Sequence, residues 1–446
     1  MFDTIIKGGT LITSEGSFRG HLGISGGKIA AWFSDVDEQA EQVVDADGCV
    51  VIPGLFDCHV HIREPESRER EDFVSVSSAA ASSGITTIMV MPNINPPIDN
   101  HGTFQEVIRV GNSKSVVDFT VAVDANPNKT SEYPDLVQGG AASFEIAMNS
   151  FPEEGGFGLL GTMKEVSRLR VPLGVFSLDR FVVEHISRVL KEVQGRKDFL
   201  AHAEAYPSVS EVAGLARILI LAKAAGIRLH LRQITTRPSI DLIQWAKNNH
   251  TQLTSEVNPH HLFLTQTDLE RLGPVAKMIP PLRTEDDVEA LWLGLRSRII
   301  DVVSTDHAPH LDEEKRRGEL DIWKAPSGIP GVETLLPLLL RAVHERRINW
   351  ANLVGSACEN PARIFGLYPR KGTLRPGADA DLVQVDPTAE WSLKPSDLFS
   401  KAKLSPFCGL KFKGRPIMTM VRGQIVYEHR EIQAPPGTGK FIRPQP

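Results

Sequence analysis

Two patterns of apolar positions divide the chain. Over residues 1–52, short runs with apolar alternation are punctuated by glycine, as in Thr4-Ile5-Ile6-Lys7 and Lys28-Ile29-Ala30-Ala31-Trp32-Phe33. Such alternation predicts short strands. From residue 50 the period changes. Apolar runs at 50–55, 86–91, 116–123, 142–148, 199–203, 228–234, 252–257 and 299–304 read as strands. Stretches such as 72–83, 182–193, 209–225, 239–248 and 285–296 carry the spacing of amphipathic helices. Eight strands alternating with helices predict an α/β protein, a (β/α)8 TIM barrel. Residues 149–180 are rich in Gly and Pro, show no assignable element, and are expected to form a loop over the barrel mouth. Helical patterns at 332–345 and 350–365 follow, and alternation returns at 379–385 and 416–427. Both chain ends, 1–52 and 370–446, are therefore expected to pair into one small β-sandwich beside a barrel of residues 53–369. The Pro/Gly-rich tail, 434–446, is expected to be extended or loosely docked.

Composition narrows the function classes. The 446 residues are 41% hydrophobic and 23% charged, ordinary values for a soluble globular chain with ample core. A net charge of −6 argues against a nucleic-acid or anionic-membrane partner. Mixed-sign runs at 64–72 and 312–319 read as solvated loops. The N-terminus lacks a signal-peptide pattern, no apolar run reaches membrane length, and the four cysteines include no C-x-x-C pair. These features predict reduced thiols and a cytoplasmic protein.

The chemistry gathers at strand ends. Phe56-Asp57-Cys58-His59-Val60-His61 places two histidines two apart after an apolar run, so on extended backbone both imidazoles point the same way. Thr305-Asp306-His307-Ala308-Pro309-His310 supplies a carboxylate at the end of the last strand. Two imidazoles and a carboxylate with room for water make a catalytic rather than a structural metal site. First and last strands become neighbours when a barrel closes, so His59, His61 and Asp306 should converge. Asn93, Glu145, His202, Gln233, His260 and His261 also fall on or after proposed strands, at the rim where barrel active sites are built. Any one of them alone reads equally well as a hydrogen-bonded core residue; the whole set does not.

These residues resemble a known family. Asp57 to Pro65, Met91-Pro92-Asn93-Ile94-Asn95-Pro96-Pro97, Asn258-Pro259-His260-His261-Leu262, Thr305 to His310, Gly328-Ile329-Pro330-Gly331-Val332-Glu333 and Gly377-Ala378-Asp379-Ala380-Asp381-Leu382 look like the cyclic amidohydrolases, the class I dihydroorotases first, with hydantoinases and allantoinases close behind. The resemblance implies a divalent cation, zinc first, one or two per chain, activating water against a cyclic amide carbonyl. It implies His59, His61, Asp306, Glu145 and His202 as metal ligands and Asp306 as general base and acid. Arg63, Asn93 and His310 match the positions that hold a substrate carboxylate, a task suited to arginine's fork. A homodimer or homotetramer is implied by fold analogy only.

Three residues depart from the family pattern. Glu145 stands where the family has a bridging lysine carboxylated on its side-chain nitrogen, and it is about 3–4 Å shorter in reach. Gln233 stands in place of the strand-six histidine and is a poor zinc ligand; His230, three residues earlier, is expected on the opposite face. Ile279 stands where Asn or Ser is common. Three readings follow: a dihydroorotase-like hydrolase with an altered second-metal site, a hydantoinase- or allantoinase-like hydrolase, or a catalytically impaired homologue serving as a binding subunit.

Overall fold

The computed structural model describes residues 1–34, 39–148, 151, 158–249 and 251–445. Eight parallel strands follow one another in sequence order: Leu55–Val60, Ile85–Val90, Asp118–Asp124, Ser143–Ala147, Leu173–Phe176, Leu229–Arg232, Leu253–Val257 and Val302–Val303. The sheet closes where the His61 amide donates to the His307 carbonyl (2.9 Å) and the His307 amide to that of His59 (3.2 Å). The expected TIM barrel is thus present. Among the described residues no helix is long and apolar enough to cross a membrane.

Two strand assignments change. The apolar run at 50–55 splits: Val50–Pro53 pairs with strands from both chain ends, and the barrel begins at Leu55. The switch falls at Gly54, where a Cβ would lie 2.1 Å from Thr86 Oγ1, so only bare backbone fits against the second barrel strand. The fifth strand is Leu173–Phe176, in register with strands four and six. Residues 199–203 instead lie in the helix Phe199–Glu204, whose N-cap Asp198 accepts from the Ala201 amide. A capping carboxylate overrides a short apolar run that periodicity alone leaves ambiguous. Of the segment expected to be a mouth loop, residues 158–180 contain the helix Gly158–Arg168 and that fifth strand. Residues 149–150 and 152–157 lie outside the described residues.

The chain ends share one nine-stranded sheet. Phe2–Ile12, Ser17–Ser25, Lys28–Phe33, Ala40–Asp45 and Val50–Pro53 join Leu382–Ser392, Lys411–Val421, Gln424–Glu428 and Glu431–Ile432. Its own apolar cluster includes Ile6, Leu22, Val51, Leu382 and Met420. Buried Lys371 ties the sheet to the barrel, 2.6 Å from both Asp118 and Asp381. The tail is not loose. Strand four begins opposite Ala122, so strand three has a bare edge before that point, and the tail fills it: the Phe119 amide donates to Lys440 (3.0 Å) and the Ile442 amide to Phe119 (2.7 Å).

Nor are the mixed-charge runs wholly solvated. Glu71 and Lys315 are buried, and Arg70 donates to Glu314 at 2.6 Å, joining one run to the other. The segments carrying Arg63 and His310 are thereby locked together.

Candidate active site

The first and last barrel strands bring the predicted ligands together. Asp57 links them, accepting from the Thr305 amide (3.0 Å) and hydroxyl (2.5 Å). Burial lifts the Asp57 carboxyl to about 6 against the pull of those bonds. Asp306 Oδ1 then lies 3.2 Å from His59 Nε2 and 2.8 Å from His61 Nε2. Each imidazole is oriented from behind: His59 Nδ1 is 2.6 Å from Glu256 Oε1, and His61 Nδ1 is 2.6 Å from Asn93 Oδ1. Both partners are acceptors, so Nδ1 carries the proton and Nε2 presents its lone pair, the usual preparation of a metal-ligating histidine. Two lone pairs and a carboxylate oxygen at these distances repel unless a proton or a cation lies between them. The three residues could hold one divalent ion.

The charge balance agrees. Burial would lower the His59 pKa, yet the carboxylates of Glu256 and Asp306 outweigh it and raise it. Burial lowers that of His61 despite the Asp306 carboxylate. Burial alone would push Asp306 up, but the two histidines hold it below the usual carboxylate range.

None of the residues expected to bind a second ion presents a free lone pair to the site formed by His59, His61 and Asp306. Glu145, the proposed bridge, is spent on Arg232, whose Nη2 and Nε donate to its two oxygens at 2.7 and 3.1 Å. Gln233 turns its amide nitrogen, not a lone pair, toward Asp306 Oδ2. Phe176 ends strand five, so no imidazole arises there. Gln233 and Asp306 both adopt left-handed backbone, φ 53° and 49°, a strained conformation that a structure sustains where side-chain aim matters.

His202 does not reach the centre. It sits on the helix Phe199–Glu204, with Nε2 2.7 Å from the Met278 carbonyl and burial holding its pKa down to about 3. His260 and His261 are buried on the short helix Pro259–Phe263, and His261 Nε2 lies 3.1 Å from the Pro280 carbonyl. Burial brings His260 down to about 4.

Sequence reasoning missed Arg232 and Glu256 and misplaced His230. The left-handed turn at Gln233 breaks strand alternation, so His230 and Gln233 both reach the barrel interior rather than opposite faces. The overlooked signal was period two: His230 and Arg232 are polar at alternate positions of an apolar strand.

A cavity of about 770 Å³ opens over the centre. Arg63, Asn93 and His310 line it with His59, His61 and Asp306, and Met91, Ile146, Phe151 and Phe176 supply an apolar wall. Ile279, the third departure, also lines it.

A closed parallel barrel with one histidine on its first strand, a second just past that strand's end and an aspartate after its last defines a metal-dependent hydrolase architecture. The chain belongs to the amidohydrolase family. The model described as "Amidohydrolase family" matches residues 178–426, and one described as "Dihydro-orotase-like" matches residues 48–239. Relatives in the group of cyclic amidohydrolases span nearly the whole chain. An L-hydantoinase of Paenarthrobacter aurescens is 33% identical, covering 99% of this chain and 98% of its own. A dihydroorotase of Methanothermobacter thermautotrophicus is 36% identical, covering 95% and 94%. An allantoinase of Rubrobacter xylanophilus is 32% identical, covering 100% and 98%. The solved L-hydantoinase from Arthrobacter aurescens superposes with a TM-score of 0.97 at 33% identity, covering 99% of this chain and 100% of that one.

Proposed function

We propose that the protein hydrolyses a cyclic amide whose ring bears a carboxylate, a dihydroorotate-like substrate, with one divalent cation held by His59, His61 and Asp306. Arg63 carries the reading. Its guanidinium lines the cavity, and its Nε is buried without a hydrogen-bond partner. A buried N–H without a partner on a half-buried guanidinium is costly until an acceptor arrives, and arginine's fork matches a carboxylate.

Asn93 spends its oxygen on His61 and keeps its amide hydrogens for the substrate. His310 Nε2 lies 3.1 Å from the Ser327 carbonyl and so carries the proton. Its buried, unpartnered Nδ1 is left to accept a ring N–H. Burial and the Arg63 charge hold His310 down to about 3, keeping it neutral in use.

A bound divalent cation would polarise the ring carbonyl and lower the pKa of water from 15.7 to about 7. The attacking water's oxygen forms the new C–O bond as the ring C–N bond breaks. Asp306 carries the proton from water to the departing nitrogen, and Gln233, donating to Oδ2, fixes that carboxylate's aim.

A second reading, a neutral hydantoin with an apolar substituent, draws on Phe151, Phe176 and Ile146 in the same cavity and on the L-hydantoinase likeness. A panel of dihydroorotate, allantoin and 5-substituted hydantoins, run on wild type and Arg63→Ala, separates the two. The expected result is turnover of the acidic ring, weakened about 10–100-fold by Arg63→Ala with neutral rings little changed. Equal losses on acidic and neutral rings would favour the second reading. Stoichiometric metal with no turnover of any ring would point to a binding subunit.

A further inference from the structure

Inside the barrel a second set of ligating atoms converges. Cys58 Sγ, His230 Nε2 and a Glu256 carboxylate oxygen lie within 4.8 Å of one another, all on buried residues. The closest approaches are 3.1 Å from His230 Nε2 to Glu256 Oε2 and 3.6 Å from Cys58 Sγ to the same oxygen.

The Arg232 guanidinium projects into this set. Its Nη1 donates to Glu256 Oε2 at 2.7 Å and to the Cys58 carbonyl at 3.0 Å, and lies 3.8 Å from Cys58 Sγ. Its Nε and Nη2 hold both oxygens of Glu145. A thiol, an imidazole and a carboxylate, donors that together suit a divalent ion, therefore meet a positive charge supplied by the chain itself, whose other edge is held by a second carboxylate. Glu256 serves two tasks, Oε2 for Arg232 and Oε1 for the ring of His59. A guanidinium and a metal ion cannot share Glu256 Oε2, so one excludes the other.

We propose that Arg232 replaces a second metal ion: its guanidinium fills a latent divalent-cation site formed by Cys58, His230 and Glu256, with Glu145 holding its other edge. The protein consequently holds a single ion, at His59, His61 and Asp306. Only that last clause rests on the proposed function; the latent site stands on the geometry around Arg232.

Cobalt(II) tests this, with equilibrium dialysis for stoichiometry and near-ultraviolet absorption for thiolate coordination. Wild type is expected to bind one equivalent without thiolate absorption. Arg232→Ala should bind a second equivalent with that absorption, and Cys58→Ser in the Arg232→Ala background should abolish it. Two equivalents or thiolate absorption in wild type would overturn the proposal, as would a folded Arg232→Ala that binds no more cobalt than wild type. Should Arg232→Ala not fold, Arg232→Lys keeps the charge and decides: one equivalent without thiolate absorption supports the proposal, and a second equivalent defeats it. A wild type that binds no cobalt, alongside an Arg232→Ala that binds one thiolate-ligated ion, would refute the one-ion active site and leave the latent site standing.

Discussion

Gly174 and Glu145 face each other in register on strands five and four, and a Cβ on Gly174 would lie 2.0 Å from Glu145 Oε2. The glycine leaves room for the carboxylate that Arg232 holds, so strand five gives up a side chain to accommodate a charge on its neighbour. Gly174→Ala should displace Glu145 from Arg232 and destabilise the protein by about 1–3 kcal/mol, the usual cost of overpacking. Glu145→Ala should cost about 3–5 kcal/mol by leaving part of a buried ion pair uncompensated. Because both act on one contact, the double variant should be little worse than Glu145→Ala alone in urea unfolding. Simple additivity of the two effects would show that the glycine and the carboxylate are not coupled.

Asn93 holds His61 through its Nδ1, so its effect on the metal should be indirect. Asn93→Ala frees the ring to rotate and should weaken metal affinity by about 10–100-fold while keeping the ligand set. Competition with a chromogenic chelator measures this. His61→Ala, which removes a ligand, should lose the ion outright. Unchanged affinity in Asn93→Ala would mean that packing alone orients His61.

The primary centre was legible because two simple rules coincide there. Extended backbone aims His59 and His61 alike, and barrel closure brings Asp306 to them. Strand five was not legible. Leu173-Gly174-Val175-Phe176 is four residues long with a glycine inside it, and the apolar run at 199–203 looks more like a strand until Asp198 is read as a helix cap. That error carried His202 into the ligand set. Arg232 escaped notice because its partners Glu145 and Glu256 lie 87 and 24 residues away, and only the closed barrel joins them. The mixed-charge runs misled for the same reason, since the burial of Glu71 and Lys315 is decided by tertiary contacts.

Lys315 makes stability depend on pH. Burial, and then the Lys277 charge, push its ammonium down from 10.5 to about 7, while its Nζ donates to the Lys277 and Pro326 carbonyls near the cavity wall at Ser327 and Gly328. Between those pH values the unfolded chain binds a proton that the folded one does not. Stability therefore rises with pH across that window, by up to about 1.4 kcal/mol per unit for one proton, and is lost as pH falls back through 7. Guanidinium unfolding near pH ~7.5 and pH ~9.5 should show a steeper rise in wild type than in Lys315→Met. Matching slopes in the two proteins would remove Lys315 as the cause.

Lys371 should matter more to stability than any exposed ion pair. It is buried, 2.6 Å from Asp118 on strand three of the barrel and 2.6 Å from Asp381 just before Leu382–Ser392 of the terminal sheet. Asp118 also pairs with Arg422, which partly offsets the loss of a second cation, but Asp381 has no other salt bridge among the described residues. Lys371→Met keeps most of the side-chain volume and removes the charge, so the loss is electrostatic rather than a cavity. The expected cost is about 3–5 kcal/mol, the penalty for leaving buried carboxylates uncompensated. Replacing Asp381 by Asn in the Lys371→Met background should recover part of that loss, because it removes the stranded negative charge. Thermal unfolding of the two variants reads this directly, and a Lys371→Met protein as stable as wild type would show that the junction is held by its apolar contacts instead.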